Sequence, residues 1–442
     1  MEFYKNGVLR LKLNSKSEYP LLSILFAVAL ICAAPFTTNL LCYAAFVVCL
    51  YRVIRYNAKV FAADYCVLVP FVNIFRESGG DSLLIYLCLI AAAWYFIKGG
   101  IKANGCVVVI FMMAAYLITR MQFNISDFVL CFGQLFVIYV LLSKQDVASA
   151  ERTAKAFCTS VVFSSLYAIV FRNTSQLAAL RGEESAAIWG TSFMRFQGLF
   201  GDPNYFMTLI IVGLAILAKL KDSGRIKNGV FYFEAAAMMI FGLMTYSKTF
   251  FLVFIMLGII YIIWQFWNRN YVRGSLLIGL VIAAVIAIFA FNVDLVLVTL
   301  TRLLAADNIS DFTTGRTDIY VQYMGEIMDD PYSFFFGKGF AAKGFEKDPH
   351  NIYIEIAYHT GMIGVSLFTA FAVSLVRMVK RSAHYVYKQN FIAKYIVLVM
   401  VLALYCTLHG MFEIVTYTEF FLALLAIMLI RKKDEIQDMQ TQ

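Results

Sequence analysis

Runs of about twenty apolar residues follow one another almost without pause along this chain, and a helix of that length is what crosses the hydrocarbon core of a bilayer. Such runs are expected at 20–36, 38–54, 60–75, 82–98, 104–119, 126–143, 154–171, 203–219, 229–246, 249–267, 274–292, 351–376, 392–409 and 415–430. A soluble domain carries about 25% charged and about 45–50% apolar residues. Here 15% are charged and 61% hydrophobic. The expected fold class is therefore all-α: one polytopic membrane helical bundle over 1–442, with about 14 transmembrane helices.

The net charge of +9 is scattered between the apolar runs, which points to membrane lipids as partners and away from nucleic acid. The nine cysteines fall within apolar runs and form no C-x-x-C pair. They read as small packing residues, without a disulfide framework or a metal site. The first run follows Lys5, Arg10, Lys12 and Lys16 and closes on no clear cleavage site, so it is read as a first span.

Sidedness comes from the basic residues. With the N-terminus inside and the spans alternating, the inner segments hold Arg52, Arg55, Lys59; Lys98, Lys102; Lys144, Arg152, Lys155; Lys219, Lys221, Arg225 and Lys227. Further on they hold Arg269, Arg273; Arg377, Lys380, Arg381, Lys388, Lys394; and Arg431 to Lys433. Both termini are thus expected in the cytoplasm, and the protein in the cytoplasmic (inner) membrane. The two longest non-apolar stretches, about 172–202 and 293–350, then fall outside, and loops that long generally carry function.

Both loops end on an Asp-Pro pair. Asp202-Pro203 and Asp348-Pro349 each read as an N-cap followed by proline in the first turn. Ordinary capping explains the two aspartates. The sharper reading is that capping gathers Arg195, Asn204, His350 and Asn351 around one outward-facing anionic site at two helix N-termini. Spacing alone does not establish that the loops meet. In the second loop, Thr313-Thr314-Gly315-Arg316 precedes a short helix over about 317–329, ended by Pro331. Its stripe of Ile319, Tyr323 and Ile327 suits the membrane surface. Gly337-Lys338-Gly339 offers backbone that can approach a ligand, a weak signal alone.

Asn351, Glu355 and His359 share one stripe of the next span. Intramembrane ionisable residues are functional candidates by default; the competing reading is a structural Glu355–His359 pair. His409 and Glu413 are placed at the rim of the same cavity.

Three signatures occur in order: Arg195-x-x-Gly198-x-Phe200-x-x-Pro203-Asn204, then Ser247-Lys248-Thr249, then Thr314-Gly315-Arg316 through Gly337-x-Gly339 to His350-Asn351, closed by Gly361-Met362-Ile363-Gly364. Together they resemble the O-antigen ligase and O-antigen polymerase superfamily of bacterial envelope enzymes, over about 195–364. The resemblance implies a GT-C-like, metal-independent glycosyltransferase without cofactors. Its donor would be a glycan on polyprenyl (undecaprenyl) diphosphate, its acceptor a glycan or lipid-linked glycan. Chain-length regulators or flippases would be its protein partners. The family's functional residues match Arg195, Arg316 and His350, with Lys248, Gly198, Asn204, Lys338, Asn351 and Glu355 as substrate-binding candidates. At Ser247-Lys248-Thr249 many members carry Ser-Arg; lysine keeps the charge but not the bidentate fork.

The chemistry is consistent with these residues. Charge developing on a leaving diphosphate must be met by cationic donors and helix N-termini, and His350 suits a proton acceptor, with Glu355 next in line. Polymerase is preferred over ligase, which would use a lipid A core acceptor. A lipid-linked oligosaccharide flippase is the rival from another class, although no repeated halves are visible. A non-enzymatic scaffold would leave the two loops unexplained.

Overall fold

The computed structural model describes residues 20–76, 82–99, 105–122, 125–174, 177, 184–186, 192–253, 256, 259, 275, 316–342, 345, 348–382, 391–406 and 409–429. Helices α1 Leu21–Ala33, α2 Leu40–Arg55, α3 Ala58–Leu68, α4 Leu83–Gly99, α5 Gly105–Arg120, α6 Ile125–Ser143 and α7 Val147–Phe171 precede the first loop. Then come α8 Pro203–Asp222, α9 Asn228–Met244, α10 Arg316–Met328, α11 Pro331–Phe336, α12 Ile352–Ser382, α13 Phe391–Leu404 and α14 Ile414–Met428. Each expected apolar segment from 20–36 to 229–246, and from 351–376 to 415–430, coincides with one of these helices. The segments 249–267 (beyond its first turn) and 274–292, both termini, and the loop over 293–315 lie outside the described residues.

Four of the helices are long and apolar enough to cross a membrane: Ile125–Ser143, Val147–Phe171, Pro203–Asp222 and Ile352–Arg381. Shorter apolar helices surround them. The layering is that of a membrane bundle. Every residue of α14 from Ile414 to Met428 is buried, because it packs against α6, α7, α8, α12 and α13 at once; a helix apolar all round belongs in a core. The outer helices instead present large apolar side chains outward, among them Leu22, Ile97 and Val170. Apolar surface on both sides suits lipid as the surrounding solvent.

Three polar groups inside the bundle are answered locally. Arg52 on α2 grips Asp64 on α3 with two parallel bonds, Nε to Oδ2 at 2.8 Å and a second nitrogen to Oδ1 at 2.6 Å. The same guanidinium donates to the Pro20 carbonyl and the Ser23 hydroxyl, which ties down the start of α1. Glu234 accepts from Thr159 at 2.7 Å, and His359 Nδ1 meets the Gly339 carbonyl at 2.9 Å. Removing one member of a buried ion pair leaves the other charge uncompensated. Asp64→Ala is therefore expected to cost about 3–5 kcal/mol. Thermal unfolding of the purified protein checks this, and an unchanged midpoint would contradict it; Arg52→Met/Asp64→Leu should recover much of the loss.

The fold is helical as expected, with one addition: the first loop pairs Glu184–Ala186 with Ser192–Met194 as two short antiparallel strands. Three expectations need correction. The stripe of α10 does not lie on the membrane surface: Tyr323 and Ile327 are buried against Tyr358 of α12. Pro331 ends α10 and also begins α11, because Asp330 caps that helix through Ser333 N at 2.8 Å. Lastly, α12 is not one continuous span. It breaks at Gly361, with φ 60 and ψ −172.

The break at Gly361 is filled from the second loop. Lys338 N donates to Tyr358 O at 2.8 Å, Gly339 N to His359 O at 3.0 Å, and the Tyr116 hydroxyl to Thr360 O at 2.7 Å. These three donors replace the helical bonds that the break removes. Gly337-Lys338-Gly339 thus approaches backbone, not a ligand.

Candidate active site

The first turn of α8 is the wall on which two polar groups meet. Asp202 caps the helix, its carboxylate accepting from Asn204 N, and Pro203 fills the first position. This is the capping read from the sequence. On one side of the turn stands Arg195, buried, with Nε donating to Thr245 O at 3.1 Å and a terminal nitrogen to Asn204 Oδ1 at 3.2 Å. The Ser247 hydroxyl reaches the same Asn204 oxygen at 3.5 Å. Residues 248–253 resume the helix, so Lys248 sits at a helix start directly beside this group. Phe196 N donates to Met244 O at 2.9 Å, which fastens the end of the first loop to α9.

On the other side stand Arg316 and His350. Asp202 acts electrostatically on both, so the end of the first loop lies within electrostatic range of Arg316 and His350. Tyr205 also bears electrostatically on Arg316, and Glu413 lies close enough for each to shift the other's pKa. Tyr320, one helical turn after Arg316, donates to Cys406 O at 2.9 Å. The Tyr205 ring faces the His409 ring at 6.1 Å.

Several sequence candidates have structural duties. Asn351, not Asp348, caps α12: its Oδ1 accepts from Tyr353 N at 3.0 Å and Ile354 N at 3.2 Å, and its Nδ2 donates to Cys406 O at 2.9 Å. Gly198, at φ 57, lets the loop press on the Phe206 ring, where a Cβ would come within 2.5 Å. Lys338 lies 3.9 Å from Glu326, nearly three turns along α10 from Arg316, and is not gathered with the other candidates. Glu355 is buried and accepts from Met411 N, so it does not pair with His359. His409 does not rim the cavity: it is fully buried, its Nε2 2.9 Å from Glu419 Oε2, with neither group exposed.

The sequence reading passed over Tyr205, Tyr320 and Glu419. Tyr320 was findable, because the spacing i, i+4 puts it on the same helix face as Arg316. Nothing in the sequence links Glu419 to His409, since that contact depends on where α14 lies in the bundle.

The electrostatics divide the labour. Burial and the adjacent Arg316 charge lower the His350 pKa below its ordinary 6.5; His409 adds to this and the Asp202 and Asp348 carboxylates oppose it. His350 is therefore a neutral imidazole at pH 7, able to accept a proton. Its backbone sits at φ 47, a left-handed conformation uncommon outside glycine that tends to mark functional positions. Burial also lowers the Arg316 pKa, yet a guanidinium stays charged. Burial raises the pKa of the Glu413 carboxyl. The space thus holds cationic forks, carboxylates and tyrosine rings together.

Asp348 raises the His350 pKa, so Asp348→Asn should lower it further. If His350 must be neutral to work, the acid limb of the pH–rate profile moves to lower pH in that variant. An acid limb that stays put or moves upward would count against His350 as the titrating group.

Compared with protein-family models, curated proteins and solved structures, the chain matches none.

Proposed function

We propose that the protein is a membrane glycosyltransferase that polymerises polysaccharide repeat units carried on polyprenyl diphosphate, at the outer face of the cytoplasmic membrane. The reading includes about fourteen crossings, a GT-C-like layout and both termini inside. The observation that carries it is the meeting of Arg316, His350 and Asp202 beside the α8 N-terminus, with Arg195 and Lys248 on the other side of the same turn. The sequence resemblance selected Arg195, Lys248, Arg316 and His350 independently of their position in space.

In this reading the acceptor hydroxyl oxygen attacks the anomeric carbon of the donor. Its proton passes to His350, the bond from the anomeric carbon to the diphosphate oxygen breaks, and polyprenyl diphosphate leaves. Arg316, Arg195 and the α8 N-terminus meet the charge that grows on the leaving group. The carboxylates of Asp348 and Glu413 and the rings of Tyr205 and Tyr320 suit sugars, which offer hydroxyl donors and apolar ring faces. Transfer by the purified protein from a polyprenyl-diphosphate glycan, seen as a ladder of lengthening products, tests the proposal. Products joined to a lipid A core sugar would instead indicate ligase activity.

The break in α12 favours one second reading, a flippase, because transporters place their cargo at interrupted helices. In such proteins the unwound carbonyls are open to the cargo. Here those of Tyr358, His359 and Thr360 already accept from Lys338, Gly339 and Tyr116, which supports a transferase. Movement of labelled donor across a vesicle without any product would reverse that preference.

A further inference from the structure

A second concavity lies at the opposite end of the bundle. The C-terminal ends of α2, α4 and α6 and the start of α3 line an open recess of about 270 Å³, which includes Tyr56, Asn57, Lys59, Tyr95, Lys98 and Lys144. The recess lies the length of α6 away from the second loop. Gln122, just before that helix, lies against Gly339 in the second loop, whereas Lys144 follows its last turn. The helix between them rises about 28 Å.

The cavity carries excess positive charge. The Lys59 ammonium pairs with Asp146, which caps α7. The Lys98 ammonium stands 5.8 Å from the centre of the Trp94 ring. Lys144 reaches over Gly99, its Nζ only 2.5 Å from where a Cβ would sit, so this glycine makes room for the charge at the C-terminal end of α4. Three lysines thus line the cavity, and no carboxylate is among the described residues that line it. The first turn of α3 adds the partial positive charge of a helix N-terminus.

Tyr95 supplies an independent sign of a missing ligand. It lines the same cavity and is 4% exposed, and its hydroxyl has no hydrogen-bond partner among the described residues. A buried hydroxyl without a partner is costly, and an acceptor oxygen entering the cavity would remove that cost. A carboxylate or phosphate oxygen is such an acceptor. Phosphate, with more charge and more acceptor oxygens than a carboxylate, fits a recess lined by several lysines better.

We propose that this cavity binds a phosphate group, its oxygens accepting from the Tyr95 hydroxyl and from the ammonium groups of Lys98 and Lys144. The group can arrive as the headgroup of an anionic phospholipid or as free phosphate. Surroundings favour the lipid: Tyr51, Ile54 and Ile97, on the α2 and α4 turns that lead to the cavity, are exposed and apolar enough to lie along acyl chains, and basic recesses between transmembrane helices bind such headgroups. The site is separate from glycan transfer and does not depend on that reading.

The test uses the full-length protein in neutral detergent, with phosphatidylglycerol, phosphatidylcholine and inorganic phosphate as probes. Native mass spectrometry should show bound phosphatidylglycerol well above phosphatidylcholine. Lys98→Gln/Lys144→Gln should weaken phosphatidylglycerol binding about thirtyfold, each lysine near a membrane surface contributing about fivefold. Tyr95→Phe, which keeps the ring and hence the packing, should weaken it several-fold, whereas Lys221→Gln elsewhere on the basic side should not. If inorganic phosphate raises the unfolding temperature of the wild type but not of the double variant, the ligand is free phosphate. Equal phosphatidylglycerol binding by wild type, the double variant and Tyr95→Phe, with no effect of inorganic phosphate, would overturn the proposal.

Discussion

Arg316→Ala is expected to lower glycan transfer by about 10²–10³-fold in kcat, the usual consequence of losing one donor aimed at developing negative charge. Arg316 begins α10 at the edge of the bundle and is half-buried, so its loss should leave the unfolding temperature nearly unchanged. Arg316→Lys keeps the charge without the fork and should restore only part of the rate. His350→Ala removes the proposed proton acceptor and should cost about 10²–10⁴-fold. The two losses should not add, because both groups act on the same transferring centre. The measurement is the length and amount of product made from a polyprenyl-diphosphate glycan by purified variants of matched stability. Undiminished chains from both alanine variants would refute the residue assignment.

The positions of the helices were legible in the sequence because a span declares itself locally, as a run of apolar residues with basic residues at one end. Asp202 was legible for the same reason: a cap and its proline are neighbours in the chain. Asp348-Pro349 has the same local signature, yet α12 starts later and Asn351 caps it. What decided between them was Cys406, 55 residues further along the chain, whose carbonyl holds the Asn351 amide. The break in α12 was hidden likewise. Gly361 was visible as a glycine, but a glycine within an apolar helix is common, and the donors that make a break tolerable come from 338–339 and from Tyr116. The meeting of Arg316 with Asp202 lies in the same class. Each residue was identified from its own neighbourhood, and their proximity depends on how α8, α10 and α12 pack.

That packing makes Gly337 the most sensitive glycine among the described residues of the second loop. It adopts φ 74 and ψ 176, a region essentially confined to glycine. A Cβ there would stand 2.5 Å from the His359 carbonyl carbon and from Thr360 N, and 2.6 Å from Gly361 N. These neighbours are backbone and cannot swing aside. Gly337→Ala must therefore push the loop out of the break in α12 and lose the bonds from Lys338 N to Tyr358 O and from Gly339 N to His359 O. Backbone strain of about 1–2 kcal/mol and two bonds of about 1 kcal/mol each sum to roughly 3–4 kcal/mol, and Gly337→Val should cost more. Activity should fall together with stability, since the first half of α12 follows directly from His350. This separates it from Arg316→Ala, where activity falls alone. Gly325 is the natural comparison: it lies exposed within α10 and a Cβ there meets nothing within 4 Å. Gly325→Ala should stabilise the protein by about 0.5–1 kcal/mol, so the two substitutions are expected to move the unfolding temperature in opposite directions. A Gly337→Ala protein as stable as the wild type would show that the second loop does not hold the broken helix together.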